Sequence, residues 1–206
     1  MKSRPTVLLV HGLIISPLSM VPLGAYLQRL GWKTSYFTYS SLLEPTARVQ
    51  RRLAETLSRG PTHVVAHSLG GLMSLETLVQ NPELPVSRVV CMGTPLRGSG
   101  AALGLHRFPL ASLGVGRSDG ILRRGVTSWP KSLEVGMLAG SVPVGFGAMF
   151  AGFGGDHDGT VSVDETHVPA LAEHKVVKAS HTGMLLDAKI AKKVDRFLKT
   201  GSFRKT

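Results

Sequence analysis

Ser68 is the residue of this chain whose surroundings point most directly to chemistry. It stands in the segment AHSLGG, residues 66–71, between an apolar run over 62–66 and a helix-like run over 69–80. Small residues lie two positions before and after it, as a sharp and strained strand-to-helix turn requires. On such a turn Oγ is clear for nucleophilic attack, and the first N–H groups of the helix face a developing oxyanion. The alternative is an ordinary tight turn in which Ser68 caps a helix.

The two other residue types that a nucleophilic serine needs follow it in the chain. An acid and then a histidine must each lie on a loop beyond a later strand. Asp158, in DHDGTV, precedes a turn and an extended run, and Asp156 is the alternative two residues earlier. His181, in ASHTG, follows a β-like run and precedes a helix-like one. Because loops after parallel strands emerge at one edge of a sheet, the three side chains can converge there.

Together with HGL at 11–13 and GTPLRGS at 93–99, these segments resemble the lipase and esterase branch of the α/β-hydrolase superfamily. The resemblance covers most of the chain. It implies that Ser68 is the nucleophile, His181 the general base and Asp158 the residue that orients the base.

The same resemblance implies an oxyanion hole made by the backbone N–H groups of Leu13 and Leu69. Ala66 replaces the first glycine of GxSxG, where one methyl group should fit, and a longer glycine run after His11-Gly12 is missing. His11 is expected to steady the oxyanion loop. His67 is expected to be a packed or locally hydrogen-bonded side chain.

The implied activity is that of a serine hydrolase cleaving carboxylic esters, with a small-molecule ester or a lipid-like substrate, through an acyl-enzyme on Ser68. Two alternatives stay open: a thioesterase or acyltransferase with the same triad, and a non-catalytic member of the fold that binds a lipid or small ligand. No cofactor is expected. No metal is expected either, because the segment from Asp156 resembles a calcium loop only at its start and has His167, not glutamate, at its twelfth position.

Alternating runs along the chain predict the elements that must position these residues. Strands are predicted near 5–10, 33–38, 62–67, 87–92, 133–140 and 174–179, and helices near 18–30, 46–58, 69–80 and 184–199. This order predicts an α/β fold of the α/β-hydrolase type, with about six mostly parallel strands and helices on both faces. We expect a single domain over 1–206, with a small insertion at about 97–132, the cap segment.

Composition agrees with one compact domain, since 206 residues with 43% hydrophobic content can bury a sizeable core. Cys91 is the single cysteine and is interpreted as a small buried hydrophobe on a strand, which excludes a disulfide within the chain. The apolar run near the N-terminus is broken by His11-Gly12 and is interpreted as a strand rather than a secretory signal. No run approaches the ~20 apolar residues of a membrane span. The expected location is cytoplasmic.

An apolar stretch at 141–155 is predicted to line a substrate pocket near Asp158, although simple core packing explains it equally well. The residues predicted to bind substrate are Phe146, Met149, Phe150 and Phe153. If they line a pocket, it accepts an acyl chain or another apolar group.

The net charge of +11 is concentrated in the cap segment and at the C-terminus. Between 97 and 131 the basic residues are Arg97, Arg107, Arg117, Arg123, Arg124 and Lys131, against a single acid, Asp119. Basic surfaces can bind nucleic acid, anionic membranes or anionic substrates. The absence of a nucleic-acid-binding motif argues against DNA or RNA, whereas peripheral contact with an anionic membrane stays open.

Overall fold

The computed structural model describes residues 5–13, 16–100, 116–144 and 155–204, which fold around a parallel sheet. Its strands are β1 (Thr6–Val10), β2 (Lys33–Phe37), β3 (Thr62–His67), β4 (Val86–Met92), β5 (Glu134–Gly140) and β6 (Glu173–Val177). They lie in the order β2-β1-β3-β4-β5-β6, and each neighbouring pair is parallel. The prediction of a six-stranded parallel sheet is confirmed, and every strand end lies within about two residues of its predicted position.

The described helices are α1 (Val21–Arg29), α2 (Thr46–Leu57), α3 (Leu69–Gln80), α4 (Asp119–Arg124), α5 (Val163–Thr166) and α6 (Ala188–Thr200). The predicted helices correspond to α1, α2, α3 and α6. Two of them begin later than predicted, because short 3-10 turns at Pro17–Met20 and Gly183–Leu185 precede α1 and α6. Asp187 sets the start of α6, since its carboxylate accepts a hydrogen bond from the Lys189 N–H at 2.6 Å.

Two hydrophobic layers sandwich the sheet, one on each face. In β1 the side chains alternate, so that Leu8 and Val10 join one layer while Val7 and Leu9 join the other. The first layer packs under α2, α3 and α4, and the second packs under α1 and α6. A strand buried on both faces must be apolar throughout, which explains the unbroken run TVLLV of β1. The predicted placement of helices on both faces is confirmed.

The strand order reverses between β1 and β3, because β1 lies beside β2 on one side and β3 on the other. In open parallel sheets, such a reversal leaves a crevice at the carboxyl ends of the strands, where ligands bind. The segments that follow β1 and β3 contain Gly12 and Ser68, respectively. The fold therefore brings the two candidate segments to the same edge.

Cys91 is fully buried on β4, as predicted, and burial raises the pKa of its thiol to about 12. The N-terminal apolar run is β1, a strand inside the sheet. Among the helices that the structure describes, none combines the length and the apolar character that crossing a membrane requires.

Candidate active site

Ser68 lies at the turn between β3 and α3 with φ 54° and ψ −124°. Within the described ranges it is the one non-glycine residue with positive φ. A backbone conformation of this kind costs about 1–3 kcal/mol and persists only where the surrounding structure holds it in place. Its N–H donates to the Met92 carbonyl at 2.9 Å, and its own carbonyl accepts from the Thr94 hydroxyl at 3.0 Å. No hydrogen bond from a described residue makes the Ser68 side chain a cap of α3, so the helix-cap alternative finds no support.

Two glycines let this turn lie against the loop after β1. A Cβ on Gly70 would lie 2.6 Å from the carbonyl oxygen of Val10, and a Cβ on Gly12 would lie 2.9 Å from Cβ of Ser68. Non-bonded carbon atoms are most favourable at about 3.5–4.0 Å, so a side chain at either position would push the two segments apart. Ala66, by contrast, has its methyl group fully buried in the core.

Asp158 and His181 form a buried pair, although they are 23 residues apart in sequence. The distance from His181 Nδ1 to Asp158 Oδ2 is 2.7 Å, and the His181 N–H donates to the Asp158 carbonyl at 2.9 Å. Because a carboxylate only accepts, Nδ1 carries the proton and Nε2 is left as the basic nitrogen. Only 1% of Asp158 and 6% of His181 are exposed, so little water competes for the hydrogen bond.

A tight loop holds the Asp158 carboxylate in place. Its Oδ1 accepts from the N–H groups of Thr160 and Val161 at 2.9 and 2.8 Å, while Gly159 makes the turn with φ +95°. These two backbone donors fix the orientation of the carboxylate. Asp156, the alternative acid, is exposed on the same loop, so Asp158 is the aspartate that the fold brings to His181.

Gly93, directly after β4, lies against the buried pair of Asp158 and His181. A Cβ there would lie 2.9 Å from His181 Nδ1 and 3.0 Å from Asp158 Oδ2. The residue before it, Met92, accepts the hydrogen bond from Ser68. All three predicted triad residues therefore contact the corner formed by Met92 and Gly93.

Replacing Gly93 with alanine should lower the free energy of unfolding, and Gly31 provides a matched control. Gly93 and Gly31 both have positive φ, of +57° and +98°, but a Cβ on Gly31 would meet nothing within 4 Å. Gly31→Ala should cost only backbone strain, about 1–3 kcal/mol. Gly93→Ala should cost about 1–3 kcal/mol more, since it overpacks against the pair of Asp158 and His181. Urea denaturation of both variants measures the difference, and equal losses would mean that the pair moves aside freely.

Leu13, one of the two residues predicted to donate to an oxyanion, lies on the loop after β1. Leu13 follows Gly12 on this loop, and Leu69 is the first residue of α3. The Tyr39 hydroxyl donates to the His11 carbonyl at 2.9 Å, and the two rings stack with centroids 4.4 Å apart. Desolvation by burial raises the pKa of Tyr39 and lowers that of His11, which favours the neutral form of both. These contacts hold the start of the loop next to Ser68.

His67 contacts the candidate base, which the sequence did not predict. It is packed, as expected, but its hydrogen bond is not local: Nε2 lies 2.9 Å from the carbonyl oxygen of His181, 114 residues away. The only sign of this contact in the sequence is that a histidine directly precedes Ser68. Nothing in the neighbouring sequence identifies His181 as its hydrogen-bond partner.

The predicted substrate-binding residues Phe146, Met149, Phe150 and Phe153 lie outside the described residues, as does Arg107. Of the predicted cap arginines, Arg123 pairs with Asp119 at 2.8 Å and Arg124 with Glu76 on α3 at 2.8 Å. Both arginines are substantially exposed, and such pairs contribute about 0–1 kcal/mol. The second pair joins α4, in the cap segment, to the helix that begins at Ser68.

No group of three or more metal-ligating side chains was found among the residues described. In the loop that begins like a calcium-binding loop, His157 Nδ1 accepts a hydrogen bond from the Gly159 N–H at 3.1 Å. The prediction that no metal takes part stays a prediction.

A scan of protein-family models and a search of curated proteins found no match to this sequence. Solved structures do match it. A metagenomic carboxyl esterase aligns over 88% of this chain and 65% of its own, with a TM-score of 0.70 and 22% identity. A bromoperoxidase from Bacillus anthracis aligns over 96% and 92%, with a TM-score of 0.67 and 15% identity. Naproxen esterase from Bacillus subtilis aligns over 96% and 85%, with a TM-score of 0.56 and 16% identity.

The chain has the α/β-hydrolase fold, as its sequence motifs predicted. It spans 65% of the length of the carboxyl esterase and most of the length of the other two proteins. At these low identities the similarity shows the fold, which hosts many chemistries, so function must be argued from the site.

Proposed function

We propose that this chain is a serine hydrolase that cleaves carboxylic esters through an acyl-enzyme on Ser68. The observation that carries the proposal is the buried 2.7 Å contact between His181 Nδ1 and Asp158 Oδ2, at the corner that also holds Ser68. A nucleophile, a base and a residue that orients the base are the three parts that this mechanism needs. The strained backbone of Ser68 adds support, because strain of this kind concentrates at functional sites.

In the acylation half, Ser68 Oγ attacks the ester carbonyl carbon while its proton passes to His181 Nε2. Asp158 stabilises the imidazolium without itself taking the proton. The N–H groups of Leu13 and Leu69 hold the negative oxygen of the tetrahedral intermediate, and each such donor contributes about 3–4 kcal/mol in comparable enzymes. The carbon–oxygen bond to the alcohol then breaks, and the alcohol leaves with the proton from His181.

In the deacylation half, water gives a proton to His181 Nε2 and attacks the acyl carbon. The bond to Ser68 Oγ breaks, Oγ recovers the proton and the carboxylic acid leaves. No step requires a metal or a redox cofactor. The same triad can pass the acyl group to an acceptor other than water, or cleave a thioester instead of an ester. Matched thioesters therefore belong in the test.

Esters are the proposed substrates because two of the matching structures named above are esterases by name. Membership of the lipase and esterase branch rests on the sequence segments around Ser68 and His181. The proposed substrate is a small-molecule or lipid-like ester, and the proposed location is the cytoplasm.

A panel of p-nitrophenyl esters of increasing acyl length, with matched thioesters, tests the proposal. The wild-type protein should hydrolyse at least one ester series with a clear optimum of length, and Ser68→Ala should not. A preference for thioesters would favour the thioesterase alternative. Equal rates for wild type and Ser68→Ala on every substrate would contradict a serine hydrolase.

Asp158 and Asp156 provide a matched pair for the acid. Asp158→Asn should lower kcat by about 10⁴-fold with the fold intact, because an amide favours the wrong imidazole tautomer. Asp156→Asn should cost about tenfold or less, since this side chain is exposed and Asp158 is the aspartate paired with His181. Steady-state kinetics on both variants, with circular dichroism as a check on folding, decide between them. The reverse ranking would refute the assignment.

A further inference from the structure

His67 is a fully buried histidine that touches the candidate base in two ways. Its Nε2 lies 2.9 Å from the carbonyl oxygen of His181, and the two imidazole rings have centroids 4.5 Å apart with 50° between their planes. It is also the last residue of β3, a strand in the middle of the sheet. The contact therefore ties the loop of His181 to the rigid centre of the fold.

The direction of this hydrogen bond follows from its chemistry. A carbonyl oxygen only accepts, so His67 Nε2 must carry a hydrogen and donate it. In the neutral ring Nδ1 is then an acceptor, and it has no hydrogen-bond partner among the described residues. The pKa of His67 is lowered to about 3, chiefly by burial and then by the neighbouring His181, with a smaller effect of His11. The hydrogen bond to the His181 carbonyl and the charge of Asp158 act in the opposite direction. His67 is consequently neutral at any ordinary working pH.

His181 is thus held at three atoms. Its N–H donates to the Asp158 carbonyl, its Nδ1 donates to the Asp158 carboxylate, and its carbonyl accepts from His67. The first two contacts come from the acid loop. The third comes from the strand that leads into Ser68, and it links the base to the nucleophile's own backbone.

Resting on the function proposed above, we propose that His67 is a positioning residue: by donating to the His181 carbonyl, it fixes the general base against the nucleophile. A burial role alone does not explain an imidazole here. An apolar ring would fill the same space without desolvating two polar nitrogens, each of which costs about 1–3 kcal/mol when left unpaired. The hydrogen bond to His181 is what offsets that cost.

Three substitutions test this role. The side-chain nitrogen of glutamine is as many bonds from Cα as Nε2 of histidine, whereas that of asparagine reaches only as far as Nδ1. Phenylalanine keeps a ring of similar shape without the donor. We expect His67→Phe and His67→Asn to lower kcat by about 10²-fold, as small misplacements of a catalytic group do, with little change in KM. His67→Gln should recover most of kcat.

The pH dependence separates positioning from proton transfer. His67→Gln should keep the wild-type pH dependence of kcat/KM, because His67 is neutral and takes up no proton at working pH. Loss of an ionisation from that profile would show that His67 itself titrates in the reaction and would overturn the proposal. Wild-type kcat in His67→Phe, or no recovery in His67→Gln, would also overturn it while leaving the hydrolase function standing. An inactive wild-type protein would refute both.

If His67→Phe fails to fold, the glutamine and asparagine pair still decides the question. Both variants place a small polar amide at the site, and the glutamine side chain is longer than that of asparagine by one carbon. The downfield proton resonance of His181 Nδ1–H gives a readout that does not depend on turnover. It should stay sharp in wild type and His67→Gln and broaden in His67→Asn, and equal line widths in the two variants would contradict positioning.

Discussion

Ser68→Ala is expected to lower kcat on any ester substrate by about 10⁶-fold, with the fold and KM nearly unchanged. The loss is large because the covalent route disappears, and only the oxyanion donors and binding contacts continue to act. Purified wild type and variant should be compared on the best ester of the panel, with burst kinetics to show the acyl-enzyme. An active alanine variant would end the mechanism proposed above.

Ser87 is the matched control for this substitution. Its Oγ lies 3.3 Å from Nδ1 of His63, and it is exposed near the start of β4, whereas Ser68 follows the carboxyl end of β3. Ser87→Ala should leave kcat unchanged. A comparable loss in both variants would point to a general effect of serine removal rather than to a nucleophile.

His181→Ala is expected to cost about as much as the loss of Ser68, near 10⁶-fold in kcat. The two residues act as a unit, because the hydroxyl is a weak nucleophile unless a base takes its proton. Combining the two substitutions should therefore add little to either alone. Kinetics of the single and double variants measure this directly, and additive losses would contradict a shared step.

His157 is the control for the base, since it lies on the acid loop next to Asp158 and is half-buried. Its Nδ1 accepts from the Gly159 N–H, which is a local turn contact. His157→Ala should cause a small loss by comparison. If His157→Ala is the more damaging change, the general base has been assigned to the wrong loop.

The sheet could be predicted because each strand has a recognisable residue pattern in its own short segment of sequence. Largely apolar runs such as 62–66, each followed by a helix-like stretch, are typical of strands buried on both faces of a parallel sheet. The pairing of Asp158 with His181 could also be predicted, because the mechanism requires an acid and a histidine, each after a later strand. The Gly-Thr-Val that follows Asp158 distinguishes it from Asp156 in the sequence, and the N–H groups of Thr160 and Val161 are the donors that hold its carboxylate.

Other features depend on contacts that the local sequence does not encode. The hydrogen bond from His67 joins residues 114 positions apart, and only the folded sheet brings them together. The short α5 was missed although Ser162 and Glu165 have the spacing of a capping box, which the structure contains. A helix of four residues has too short a pattern to stand out from a loop.

Covalent labelling of the wild-type protein with a fluorophosphonate probe tests the central claim most directly. Intact mass and peptide mapping should find one adduct, on Ser68, because phosphonates trap a serine that a neighbouring histidine activates. His181→Ala should label far more slowly, Ser68→Ala should not label, and Ser87→Ala should label like wild type. An adduct on another residue, or equal labelling of wild type and Ser68→Ala, would contradict the assignment of Ser68 as the nucleophile.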